Sequence, residues 1–135
     1  MKTSLYLARL IGPALALAGL SMLINQQGYL DIATGIMGDA ALLYFTVLLG
    51  ILGGTAVILA HNVWVGDWRV IITLLGWATT IKCAAWLLAP KALARFFGPM
   101  ITPPMPIAGG VISLILGAIL CYYGYFAEPS SGRRR

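Results

Sequence analysis

The chain has one histidine, His61, which opens a short polar run between two long apolar stretches: His61-Asn62-Val63-Trp64-Val65-Gly66-Asp67-Trp68-Arg69. An imidazole can hold or release a proton near neutral pH. A guanidinium forks onto carboxylates and phosphates. At helical spacing Arg69, Thr73, Gly76 and Thr80 share one face, with Trp77 at its edge, and His61 shares a face with Gly54 and Gly50. His61, Asn62, Asp67, Arg69 and Thr73, with Arg9 and Glu128 from other segments, should therefore gather at one mouth. Two readings compete for that mouth. In one it binds a lipid headgroup or small acid, with Arg69 as the fork and His61 as a proton-responsive donor. In the other it is a structural clamp, Asp67 offsetting Arg69 while Trp64 and Trp68 sit at headgroup level.

Lys82 is the second candidate. It lies within an apolar run, where a cation at the bilayer centre costs about 2.5–3.5 kcal/mol on insertion scales. Either it serves a solute path or its long stem climbs to the nearer interface. Other chemistries lack their parts. One histidine, scattered carboxylates and two isolated cysteines do not make a metal site. Cys83 and Cys121 should differ in depth by about 12 Å at 1.5 Å per residue, too far for a disulfide. No nucleophile has a base beside it in sequence, so neither a catalytic residue nor a cofactor is expected.

The elements that must position these residues follow from composition. Of 135 residues 60% are hydrophobic and 10% charged, against roughly 45–50% and 25% in soluble domains. Four runs, 5–24, 40–60, 70–89 and 107–126, approach the roughly 20 residues needed to cross the hydrocarbon core. A helix satisfies its own backbone there, whereas four strands cannot close a barrel. The expected fold is all-α, an integral-membrane antiparallel four-helix bundle. Residues 1–127 form one transmembrane domain, and 128–135 form a basic tail. Lys2 and the small residues Ala16 and Ala18 imitate a cleavable leader. Arg9, one turn into the run, and the apolar character that continues to Ile24 favour an uncleaved span.

The net charge of +5 sits at span ends and in the terminal arginines, with no basic stripe interleaved with aromatics, so membrane lipid rather than nucleic acid is the expected partner. Lys2, Arg9, Arg69 and Arg133–Arg135 fall on one side, Lys91 and Arg95 on the other. That count predicts that both termini are cytoplasmic. The first loop has an amphipathic middle. The third begins with Lys91-Ala92-Leu93-Ala94-Arg95-Phe96-Phe97, an interfacial helix by pattern. It continues through Pro99, Pro103, Pro104 and Pro106, which read as a stiff, extended approach to the last span.

Small residues four apart mark close helix contacts in lipid. Gly50 and Gly54 mark the second span, and Gly109, Ser113, Gly117 and Cys121 the fourth. The first offers Ala8, Gly12 and Ala16, and the third Gly76, Thr80 and Ala84. The fourth span should pack most tightly, on its own bundle or on a second copy. Trp64, Trp68 and Trp77 are the expected interface anchors.

The stretch His61-Asn62-Val63-Trp64, Trp68-Arg69, Thr73, Gly76-Trp77 and Lys82 resembles the signature segment of an uncharacterised family of small four-helix bacterial inner-membrane proteins. Size and span number alone are similar to DoxX-like proteins. The resemblance implies a four-helix membrane protein with no established activity. Three functions fit the residues. The first is a non-enzymatic accessory or scaffold subunit working with a second copy or another membrane subunit. The second is a small-solute or anion transporter acting as a dimer. The third is a lipid- or quinone-binding enzyme. Proton-coupled cation export is disfavoured, since Asp31, Asp39, Asp67 and Glu128 all lie at or beyond span ends.

Overall fold

A computed structural model describes residues 2–126. Six α-helices follow one another: α1 (Lys2–Ile24), α2 (Gln26–Gly38), α3 (Ala40–Ala60), α4 (Arg69–Leu88), α5 (Pro90–Phe97) and α6 (Pro104–Cys121). A π-helical turn over Tyr122–Phe126 prolongs α6. Helices α1, α3, α4 and α6 with its π turn are each long and apolar enough to cross a membrane. The architecture is that of a multi-pass, all-α membrane protein. The basic tail and Glu128 lie outside the described residues.

Two loops are more ordered than their composition implies. The first becomes α2 because both its ends are capped. Asn25 accepts from the Gly28 N–H at 3.1 Å, and Asp39 closes α2 while its Oδ1 accepts from Ala41 and Leu42 to start α3. Such caps satisfy amides that a helix start leaves without partners. The proline-rich approach to α6 is not extended, contrary to the sequence reading. Gly98–Met100 make one 3₁₀ turn and α6 starts at Pro104. The reason is positional: a first helical turn needs no amide donors, so Pro104 and Pro106 are tolerated there.

Pro13 stands inside α1. It has no N–H, so the carbonyl of Arg9, four residues earlier, loses its ordinary helical partner. The Tyr125 hydroxyl supplies one from the π turn, donating to the Arg9 carbonyl at 3.1 Å. Arg9 Nε returns a bond to the Gly124 carbonyl at 2.6 Å. A break in one helix is thereby mended by the end of another.

The spans associate as two close pairs, α1 with α6 and α3 with α4. Glycine sets both approaches. A Cβ on Gly117 would fall 2.8 Å from Ala16 Cα and 2.9 Å from the Gly12 carbonyl. Ser113 Oγ donates to the Leu15 carbonyl at 2.9 Å on the same seam. Toward α2 this seam runs through Gly110, which meets Gly19, while Gly109 has only Met22 Sδ near it, 3.7 Å from an added Cβ. In the other pair Gly54 lies against Gly76 and Thr80, and Gly50 against the Cys83 side chain. Cys83 and Cys121 are both free thiols, on separate seams.

The two pairs join at the terminal end of the molecule, which carries Lys2 and residues 61–69. Leu7, Ala8, Ile72 and Leu120 form a buried cluster there, and Trp68 stacks on Tyr123 at 5.3 Å with planes 5° apart. Away from that cluster the pairs part. A cleft of about 310 Å³ separates Ile11 and Leu15 of α1 from Gly50, Gly53, Gly54 and Val57 of α3 and from Leu75, Gly76 and Thr79 of α4. Its lining is apolar, and four glycines, Gly50, Gly53, Gly54 and Gly76, bring no side chains to it.

Candidate polar junction at the terminal end

Helix α3 ends at Ala60, and His61 adopts φ −152°, ψ 85°. The chain turns there, and the imidazole is buried between α1 and α4, 2% exposed. Thr73, one turn into α4, is fully buried, and Ser4, in the first turn of α1, is 3% exposed. Ser4 Oγ lies 2.7 Å from His61 Nε2, and His61 Nδ1 lies 3.2 Å from Thr73 Oγ1. The line Ser4–His61–Thr73 thus runs from α1 through the end of α3 into α4.

Counting protons assigns the roles. The Thr73 hydroxyl has one proton and two lone pairs. The carbonyls of Val63, at 3.0 Å, and His61, at 3.2 Å, compete for that proton. Its lone pairs receive the Val63 N–H at 3.1 Å and, by elimination, the His61 Nδ1–H. His61 is therefore the neutral Nδ1–H tautomer, and Nε2 accepts from Ser4. Burial holds its pKa below the usual histidine value, and the Arg69 charge adds to that lowering, while the hydrogen bond of the ring to its own backbone opposes them. Among the described residues no buried side-chain polar atom lacks a partner.

A hydroxyl donating to an imidazole that is oriented on its far side is also how an activated nucleophile is arranged. Ser4 differs in two respects. It is sealed from solvent, and its imidazole is backed by a neutral threonine rather than a carboxylate. The arrangement ties three helices together.

The remaining residues singled out in the sequence do not converge on this junction. Asn62 is exposed and its Oδ1 accepts from Trp64 Nε1 at 2.7 Å. Asp67 pairs with Arg69 at 3.2 Å on the surface and also accepts the Trp68 N–H at 2.7 Å. Arg9 is engaged with the π turn. Trp64 is exposed near the terminal end, but Trp68 is partly covered by Tyr123. Trp77 projects from α4 eight residues past Arg69, about 12 Å along the axis, so its place is mid-span rather than at an end. Lys82 is exposed on the outside of the bundle. The participant missed from sequence is Ser4. It continues the Ala8, Gly12, Ala16 spacing one turn toward the N-terminus, and that continuation was the available signal.

Comparison of the chain with known protein families, with curated proteins and with solved structures yields no match.

Proposed function

We propose that this chain is a non-enzymatic accessory or scaffold subunit of the bacterial inner membrane, with both termini cytoplasmic, working with a second copy or with another membrane subunit. One observation carries the reading: the polar side chains inside the terminal end bond to one another. Both nitrogens of His61 are used, one by Ser4 and one by Thr73. Arg69 is held by Asp67. Nothing in this arrangement is left facing a substrate, whereas the small-residue seams are built for helix contact. The segment from His61 to Lys82, with its likeness to small four-helix inner-membrane proteins, is in keeping with that role.

The test is complementation of a deletion strain. His61→Gln keeps a group able both to accept and to donate, and Arg69→Gln removes the fork. Both are expected to complement, while Gly117→Leu, which forces α1 and α6 apart, fails. A His61→Gln protein that reaches the membrane at normal level, melts normally and yet fails to complement overturns the reading.

The cleft between the helix pairs supports a second reading, in which an apolar ligand such as a lipid tail or quinone is bound. Its apolar lining suits such a molecule better than an anion. Enrichment of a quinone in the purified protein, lost on Gly53→Leu, would favour this second reading over the first.

A further inference from the structure

From Trp68 to Ala127 the chain contains no aspartate or glutamate but four cations, Arg69, Lys82, Lys91 and Arg95. Arg69 is matched by Asp67. The other three have neither an ion-pair nor a hydrogen-bond partner among the described residues, and all three are exposed. Two acids, Asp31 and Asp39, belong to the same end of the molecule, but Asp39 caps α3 and Asp31 accepts from Gln27 at 3.0 Å.

Helix α5 follows α4 after the single residue Ala89. A helix joined so closely to the end of a membrane span lies at the bilayer surface. It has no buried residue. Lys91 and Arg95 are one turn apart on one face, and Leu93, Phe96 and Phe97 occupy the opposite face. The apolar side turns toward the bundle and the hydrocarbon: Phe97 packs on Trp86 of α4, ring centroids 6.3 Å apart. Lys82 stands one turn before Trp86 on the same face of α4. It is six residues short of Leu88, about 9 Å below the end of the helix. Its aliphatic stem can carry the ammonium up beside α5.

We infer that α5 and the adjoining face of α4 form a binding surface for anionic phospholipid, with Lys82, Lys91 and Arg95 as the contacts to its phosphate. Lys91 and Arg95 meet the headgroup from above, and Lys82 meets the same layer from below. Free phosphate is a poor alternative, because Lys82 starts within the hydrocarbon and reaches only the inner margin of the headgroups.

Native mass spectrometry of the delipidated full chain, titrated with phosphatidylglycerol or phosphatidylcholine, tests this. Wild type should retain phosphatidylglycerol preferentially. Each cation near the surface contributes about fivefold, so Lys82→Leu should lower that retention about fivefold and Lys91→Gln/Arg95→Gln about 25-fold. Lys91→Arg/Arg95→Lys, which keeps both charges, should retain it, and so should Lys2→Gln at the terminal end. Millimolar inorganic phosphate should displace nothing. Retention unchanged in Lys82→Leu/Lys91→Gln/Arg95→Gln overturns the assignment. So does an equal loss in Lys2→Gln, which would make the attraction one of diffuse net charge, or displacement by free phosphate.

Discussion

Burial between α1, α3 and α4 disfavours a charged imidazole, so His61 resists protonation in the folded chain more than in the unfolded one. The sign follows from linkage. Above the unfolded pKa, about 6.5, both states are neutral and the junction contributes fully. As pH falls through that value the unfolded chain takes up a proton first, and stability drops until the folded pKa is also passed. Thermal melting in detergent should therefore be flat from pH 8 to 7 and decline as the pH falls below about 6.5. His61→Gln should flatten the decline; a decline of equal size in that variant would place its origin elsewhere. The inward direction of His61 was legible from the face it shares with Gly50 and Gly54. Ser4 was not, because a serine near the start of an apolar helix is unremarkable until the helix opposite is known. Pro13 poses the same problem. The sequence shows that it frees the Arg9 carbonyl, but not that Tyr125 arrives to fill it. A double-mutant cycle measures that repair. Tyr125→Phe should cost about 1 kcal/mol, and distinctly less in a Pro13→Ala background, where the backbone N–H returns. Equal costs in both backgrounds would mean that the hydroxyl does not serve the orphaned carbonyl.

At the scale of the elements, adjacent glycines play opposite parts. A Cβ on Gly54 would stand 3.0 Å from both the Gly76 carbonyl and the Thr80 amide, while one on Gly53 has nothing within 4 Å. Gly54→Ala must push α3 from α4 and should destabilise by about 1–3 kcal/mol, as overpacked contacts do. Gly53→Ala enters the cleft freely and should stabilise α3 by up to about 1 kcal/mol through helix propensity. Melting of the two variants side by side checks this, and a Gly54→Ala protein as stable as wild type would remove the close α3–α4 approach. The spans themselves were legible, because uninterrupted apolar length is a strong signal and lipid leaves few alternatives to a helix. Their starts shift by up to three residues and their ends by at most one, and for α6 the reason is visible: Pro104 and Pro106 look like breakers in sequence but initiate the helix. The α2 helix was hidden for a related reason. Its caps, Asn25 and Asp39, are residues equally at home in a loop.

For the molecule as a whole, spacing identified which helix faces were small but not which helix each one meets. Pairing α1 with α6 and α3 with α4 leaves a cleft between the pairs, and a cleft has no sequence signature of its own. It exists because the contacts between pairs are concentrated at Leu7, Ala8, Ile72 and Leu120, where Trp68, Tyr123 and the His61 junction also lie. All of this presumes that α1, α3, α4 and α6 cross one bilayer, alternating in direction. The direct measurement is labelling of single cysteines in intact and lysed cells with a membrane-impermeant maleimide, after Cys83 and Cys121 are replaced by alanine. Thr3→Cys and Gly66→Cys should react only after lysis, and Gly38→Cys and Gly98→Cys in intact cells. Thr3→Cys and Gly38→Cys reacting from the same side would contradict the four-span bundle.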